Sequence, residues 1–173
     1  MAELKSTIID ALNSQINKEI WSSYLYLSMA SHFESENLKG FAHWMNLQVQ
    51  EELAHAMKFY KYVLDRGGKI VLMDIKAPSN KWDSPLQVFE TVYAHEQTVT
   101  KSIEDLMALA KKENDFATEG LLQWFIQEQI EEESNASEIV MRLKQVKNSS
   151  NGLFMYDQIL SSRVLSQPEP SVQ

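Results

Sequence analysis

The sequence predicts an all-α fold: a four-helix bundle made of two antiparallel hairpins, joined by one long crossover and followed by a short fifth helix. Three observations carry this. Glycine (5) and proline (4) are scarce in 173 residues, which favours long uninterrupted helices over a turn-rich sheet. Apolar residues recur at steps of three and four along four long segments, the period of an amphipathic helix. Only one connection between these segments is long enough to cross a bundle from end to end.

Each element has its own signals. The first helix is expected from Leu4 to Phe33, and the second from Leu38 to Asp65, stopped by Gly67-Gly68. A connection over 69–82 follows, with Pro78 in it. The third helix opens at Ser84-Pro85-Leu86-Gln87, which supplies an N-cap serine, a first-turn proline and the glutamine of a capping box. It is expected to end near Lys112. The fourth is expected from Asp115 to Lys147, and Asn148-Ser149-Ser150-Asn151-Gly152 should break the chain before a short fifth helix from Leu153 to Ser162. Short links make the first and last helix pairs antiparallel hairpins. The long middle connection can span a helix of about 42 Å, at about 3.3 Å per extended residue, so the second and third helices can lie parallel. Residues 1–166 are expected to form one domain. The tail 167–173, with Pro168 and Pro170, is expected to be disordered.

Composition excludes several functions. A net charge of −8 argues against nucleic acid, which needs a basic patch, and fits attraction of cations. Without cysteine there are no disulfides, thiolate zinc sites or iron–sulfur clusters. No apolar run approaches the roughly 20 residues that span a bilayer, and Met1-Ala2-Glu3-Leu4-Lys5 lacks the pattern of a signal peptide. The expectation is a cytoplasmic protein with no membrane partner.

The chemistry gathers around Glu52-Leu53-Ala54-His55. A Glu-x-x-His pair on a helix places carboxylate and imidazole side by side and is half of a di-iron carboxylate site. Alone it is a weak signal. The inward stripes of the other helices strengthen it. They read Leu12, Ile16, Glu19, Ser23, Tyr26, Ala30 on the first; Phe89, Val92, Glu96, Val99, Ile103 on the third; and Leu122, Phe125, Gln129, Glu132, Ala136, Ile139 on the fourth. On the second helix, Glu52 is followed by Ala56, Phe59 and Val63, and preceded by Met45 and either Gln48 or Val49. Each apolar stripe is thus interrupted near its middle by a carboxylate. A buried carboxylate is unfavourable unless paired or bound to a metal. Oxygen donors with one imidazole suit iron or manganese better than zinc or copper. The expected arrangement is a dinuclear site: Glu52 bridging, Glu19 and His55 on one ion, Glu96 and Glu132 on the other, with Gln129 beside them. Tyr26 and Trp124 are expected behind these ligands, in the core. His32, His43 and His95 read as structural or surface histidines.

These motifs resemble the ferritin family, and most of all its non-heme prokaryotic members. The resemblance rests on Asn17-Lys18-Glu19, Trp21 to Tyr26, Gln50 to His55, His95-Glu96-Gln97 and Leu122 to Glu133, and it runs from Leu4 to Leu160. It implies a ferritin-like bundle and a ferroxidase centre built from Glu19, Glu52, His55, Glu96, Glu132 and Gln129. It implies a third, weaker iron site at Glu51, Glu128, Glu131 and Glu132. It also implies iron storage: Fe(II) oxidised by O2 or H2O2, and Fe(III) oxide kept inside a homo-oligomeric shell of 24 subunits. Relatives that bind heme use a methionine directly after the bridging glutamate. Here that residue is Leu53, so no heme is expected there.

Overall fold

The computed structural model describes residues 4–165, and among them there are five helices and no strand. They are α1 (Ser6–Ser35), α2 (Lys39–Asp65), α3 (Pro85–Glu113), α4 (Phe116–Val146) and α5 (Ser150–Leu160). The expected tail 167–173 lies outside the described residues. The first four helices match their sequence signals to within two residues at each end.

Three of the helix ends close in the same way. Asn37, Gly67 and Asn114 take positive φ values of 57°, 73° and 55°. The next residue then donates its N–H five residues back: Leu38 to Phe33 O at 3.0 Å, Gly68 to Val63 O at 2.8 Å and Asp115 to Ala110 O at 3.0 Å. This satisfies otherwise orphaned carbonyls and reverses the chain. At the start of α3, Ser84 Oγ accepts from Gln87 N at 3.2 Å, as a capping box requires. The return bond goes to a different atom from the usual one, with Gln87 Oε1 accepting from Asp83 N at 2.6 Å, one residue before the cap.

The fifth helix corrects the sequence expectation. It begins at Ser150 instead of Leu153, because Ser149 caps it and accepts from Gly152 N at 3.0 Å. The polar run read as a break is itself a helix start: serine and asparagine that disfavour helix interiors are favoured at caps.

The crossover sets the topology. It is tied to α1 in order along its length: Asn13 bonds Lys69 O and Val71 N, Trp21 Nε1 donates to Lys76 O at 3.0 Å, and Ser28 Oγ donates to Ser79 O at 2.8 Å. The connection therefore runs the length of α1 before α3 begins, and α3 lies parallel to α2. Hydrogen bonds between Ser22 and His95, and between Lys18 and Ser102, confirm that α3 is antiparallel to α1.

The core is divided in two. One apolar cluster holds Leu25, Met29, Phe33, Phe41, Trp44, Phe89 and Leu160 among others, and the other holds Leu12, Ile16, Phe59, Val63, Ile103 and Phe125. Between them lies a buried polar layer that includes Glu19, Gln48, Glu52, His55, Glu96, Gln129 and Glu132. Gln48, not Val49, is the fully buried member of the α2 stripe.

The fifth helix packs on the N-terminal end of α2. Asp157 Oδ1 accepts from Gly40 N at 2.8 Å and Phe41 N at 3.0 Å, supplying the cap that Leu38 cannot. A Cβ at Gly40 would lie 1.7 Å from Asp157 O. Gly40→Ala is therefore expected to push α5 away and destabilise the chain by about 1–3 kcal/mol, the usual range for overpacking. The check is denaturant unfolding together with limited proteolysis, with the new cleavage falling between α4 and α5. Unchanged proteolysis would show that α5 docks by other contacts.

Candidate metal centre

Four helices each bring their mid-stripe side chains to one level. Glu19 comes from α1, Glu52 and His55 from α2, Glu96 from α3, and Gln129 and Glu132 from α4; all six are buried. Among the described residues, Glu19, Glu52 and His55 form the one group whose ligand atoms all lie within 4.8 Å of one another. His55 Nδ1 stands 3.7 Å from Glu52 Oε2.

The neighbours of each carboxylate differ. Gln15, one turn before Glu19, donates to Glu19 Oε1 at 2.8 Å. Gln48 donates to Glu132 Oε2 at 3.1 Å. Glu96 accepts a hydrogen bond from the Tyr26 hydroxyl. It also accepts from Gln129 Nε2, which reaches Glu96 Oε2 at 3.2 Å and Thr100 Oγ1 at 3.3 Å. Glu19 Oε2, Glu52 Oε2 and Gln48 Oε1 are fully buried with no hydrogen-bond partner. Orphaned carboxylate oxygens in a dry layer are what a bound cation would satisfy, so the donor set fits a metal.

The electrostatics agree. Burial, with repulsion from Glu96, pushes Glu19 up to about 7, and burial with repulsion from Glu96 and Glu51 pushes Glu132 up to about 8. Burial also raises Glu96, and burial with repulsion from Glu96, Glu19 and Glu132 raises Glu52 strongly. Glu52 and Glu19 lie close enough for each to perturb the other. His55 is held down to about 4 by burial and by the Lys58 ammonium, so its imidazole is neutral at neutral pH, the form that binds metals. Its ring meets Trp124 edge-on at 5.4 Å, and Lys58 Nζ lies 3.3 Å from the centre of the Trp124 ring.

Outside the buried layer, Glu51 and Glu128 are half-buried and Glu131 is exposed. Burial raises Glu128, and the charges of Glu131 and Glu51 raise it further, so these three share a neighbourhood. Glu51 is already paired: Arg163 Nη2 sits 2.7 Å from Glu51 Oε2, and the guanidinium rests 4.6 Å over the Trp44 ring. Tyr26 stands against Glu96, and Trp124 against His55. The other histidines serve structure: His95 Nε2 lies 2.8 Å from Ser22 Oγ, His43 Nε2 lies 2.9 Å from Arg163 O, and His32 packs against Phe33 and Trp82.

Sequence reasoning left Gln15, Thr100 and Arg163 unassigned. Gln15 was legible, since it stands four residues from Glu19, the spacing of helical neighbours. Arg163 was not, because its partner is 112 residues away.

This geometry is that of a helical bundle with a buried, carboxylate-rich layer at mid-height whose donors could hold a metal. A family model described as Ferritin-like domain matches residues 9–146. The chain is 43% identical over 154 residues to the bacterial non-heme ferritin of Bacteroides fragilis (strain 638R), covering 89% of this chain and 96% of that one. It is 36% identical over 166 residues to the bacterial non-heme ferritin of Staphylococcus saprophyticus, covering 96% and 99%. Among solved structures, an open-pore ferritin from Archaeoglobus fulgidus superposes with a TM-score of 0.93 at 49% identity, covering 94% of this chain and all of that one. The chain belongs to the ferritin family, and that membership supports a general role in iron storage. No helix among the described residues is long and apolar enough to cross a membrane.

The raised carboxyls make a signed prediction. Folded Glu19 and Glu132 hold protons up to about 7 and about 8, whereas the unfolded chain releases them near 4.5. Over that range the folded state binds more protons, so stability falls as pH rises. His55 and His95, ordinarily 6.5 and held down to about 4, act in the opposite direction, but only below 6.5. The metal-free protein should therefore lose stability between pH 6.5 and 8, and Glu132→Gln should flatten that slope. Denaturant midpoints measured in chelator would show it; a rising midpoint across this window contradicts the buried-carboxyl account.

Proposed function

We propose that this ferritin is a ferroxidase that oxidises Fe(II) at a dinuclear centre within each subunit and stores the Fe(III) product as oxide inside a homo-oligomeric shell. The observation that carries this reading is the pair of orphaned buried oxygens, Glu19 Oε2 and Glu52 Oε2, beside the neutral His55. Fe(II) is the substrate. Glu19 and His55 hold one ion, Glu96 and Glu132 the other, and Glu52 bridges them. Gln129 stands at the second position, where it holds Glu96. Tyr26 orients Glu96 from behind, and Trp124 fixes the His55 ring.

Each Fe(II) gives up one electron. With O2 as oxidant, two Fe(II) and two protons yield two Fe(III) and one H2O2; with H2O2 as oxidant, the same two electrons and two protons yield two waters. The carboxylates favour the higher charge of Fe(III) and so favour oxidation. Glu51, Glu128 and Glu131, with Glu132, form a third site. It is weaker because Arg163 competes for Glu51. Leu53, exposed on α2, offers no heme ligand.

Residues 1–166 act as one unit of a cytoplasmic shell of about 24 subunits with closed symmetry. Apolar side chains left exposed on the single chain support association: Val71, Leu72 and Ile75 on the crossover, and Phe154, Met155 and Ile159 on α5. Light scattering should report a mass near that of the full shell; a monodisperse monomer or dimer at micromolar concentration would refute storage.

Two variants separate the sites. Glu52→Ala should abolish the fast oxidation of about two Fe(II) per subunit, the dinuclear stoichiometry. Glu131→Ala should keep that phase and alter later turnover or mineral growth. Stopped-flow absorbance at increasing iron loads is the measurement. Equal loss of the first phase in both variants would place Glu131 in the dinuclear centre.

A further inference from the structure

We propose that Gln15 is a positioning residue that decides which oxygen of Glu19 is offered to a metal, and that Ser102 and Lys18 hold it in that role from the outer face of the bundle. This rests on the dinuclear reading above.

The polarity of the hydrogen-bond chain is fixed by chemistry. Lys18 Nζ lies 2.8 Å from Ser102 Oγ, and an ammonium can only donate. Ser102 therefore accepts from Lys18, and its own hydroxyl proton is free to go onward. It goes to Gln15 Oε1. A carbonyl oxygen held by Ser102 leaves the Gln15 amide nitrogen to face Glu19, where Nε2 donates to Oε1 at 2.8 Å. The reversed amide would set its carbonyl against a carboxylate oxygen and leave the Ser102 hydroxyl without an acceptor. Only one orientation satisfies all four groups.

The consequence falls on Glu19. Gln15 and Glu19 are each about 1% exposed, so no bulk water replaces these bonds. Oε1 is engaged by the amide, and Oε2 is left with no hydrogen-bond partner. Oε2 is thus the ligand oxygen, and Glu19 binds through one oxygen. Without the amide, both oxygens are open and the carboxylate can rotate or bind through both. Lys18 is exposed and Ser102 half-buried, so a contact on the outer face of α1 and α3 sets the ligand geometry of a buried site.

The test uses the assembled full-length protein with redox-silent Zn(II), titrated by calorimetry, and with Co(II), whose visible absorption reports coordination number. Glu19→Ala identifies the Glu19-dependent site. Gln15→Leu should weaken Zn(II) at that site by about 10–100-fold, the range for a lost partner behind a metal ligand, and should change the Co(II) absorption. Ser102→Ala should shift affinity and spectrum in the same direction by a smaller factor, and Ser102→Thr, which keeps the hydroxyl, should restore both. If Gln15→Leu does not fold, Ser102→Ala with its threonine rescue decides alone. Wild-type Zn(II) affinity and Co(II) spectrum in Gln15→Leu and Ser102→Ala, with a site still lost in Glu19→Ala, would overturn the positioning role and leave the centre standing. No change in Zn(II) binding in Glu19→Ala would overturn the dinuclear reading and this proposal with it.

Discussion

The rest of the structure is arranged around a layer of carboxylates with too few donors. Glu19, Glu52, Glu96 and Glu132 sit between two apolar clusters, where water cannot stabilise their charge. The protein supplies three amides and one phenol: Gln15, Gln48, Gln129 and Tyr26. Among the described residues, no lysine or arginine side chain hydrogen-bonds any of the four carboxylates; the charges of Lys18 and Arg163 act on Glu19 and Glu132 only from a distance. The remainder of the charge is removed by protonation, which is why the carboxyls are raised so far. A layer of this kind weakens the apo fold near neutral pH and strengthens it when cations arrive, so binding and stability are linked.

Holding such a layer together demands a fixed register between helices. Each helix contributes its own mid-stripe residues, so rotation of one helix by a single residue, about 100°, would turn its ligand out of the site. The long helices and their terminal closures prevent this. Asn37, Gly67 and Asn114 fix where α1, α2 and α3 end. Arg66 and Asp115 then pair at 3.2 Å, joining the end of α2 to the start of α4, where Asp115 also caps Thr118 N at 3.1 Å. The crossover contributes as well, because its bonds to Asn13, Trp21 and Ser28 tie it along the length of α1 on the way to α3.

Most of this was legible in the sequence because it is local or periodic. The helices follow from a 3.6-residue period, the hairpins from short links, and the buried carboxylates from their place on apolar stripes. The fifth helix was misplaced at its start because one serine–asparagine run can read as either a break or a cap, and in the structure Ser149 caps the helix by accepting from Gly152 N. The choice between Gln48 and Val49 was open for a related reason: adjacent positions differ by a rotation that the pattern alone does not resolve. What the sequence hid was long-range. Arg163 with Glu51, Ser102 with Gln15 and Tyr26 with Glu96 join residues far apart in the chain, and no spacing rule connects them.

The two halves of the proposed centre are unequal, and the inequality is a physical one. In the first half, Glu19 and Glu52 each keep an oxygen with no hydrogen-bond partner, next to a neutral imidazole. A cation arriving there displaces protons and breaks no bond to a neighbouring amide or phenol. In the second half, Glu96 is held by Tyr26 and Gln129, and Glu132 by Gln48. A cation there must compete with donors that already stabilise the carboxylates, each hydrogen bond to a charged group being worth about 1.5–3 kcal/mol. The same donors keep Glu96 and Glu132 oriented when no metal is bound. One half is thus left unsatisfied and reactive toward cations, and the other is satisfied and preorganised. Glu52 faces both halves: burial raises its pKa, and repulsion from Glu96 and Glu132 on one side and from Glu19 on the other raises it further.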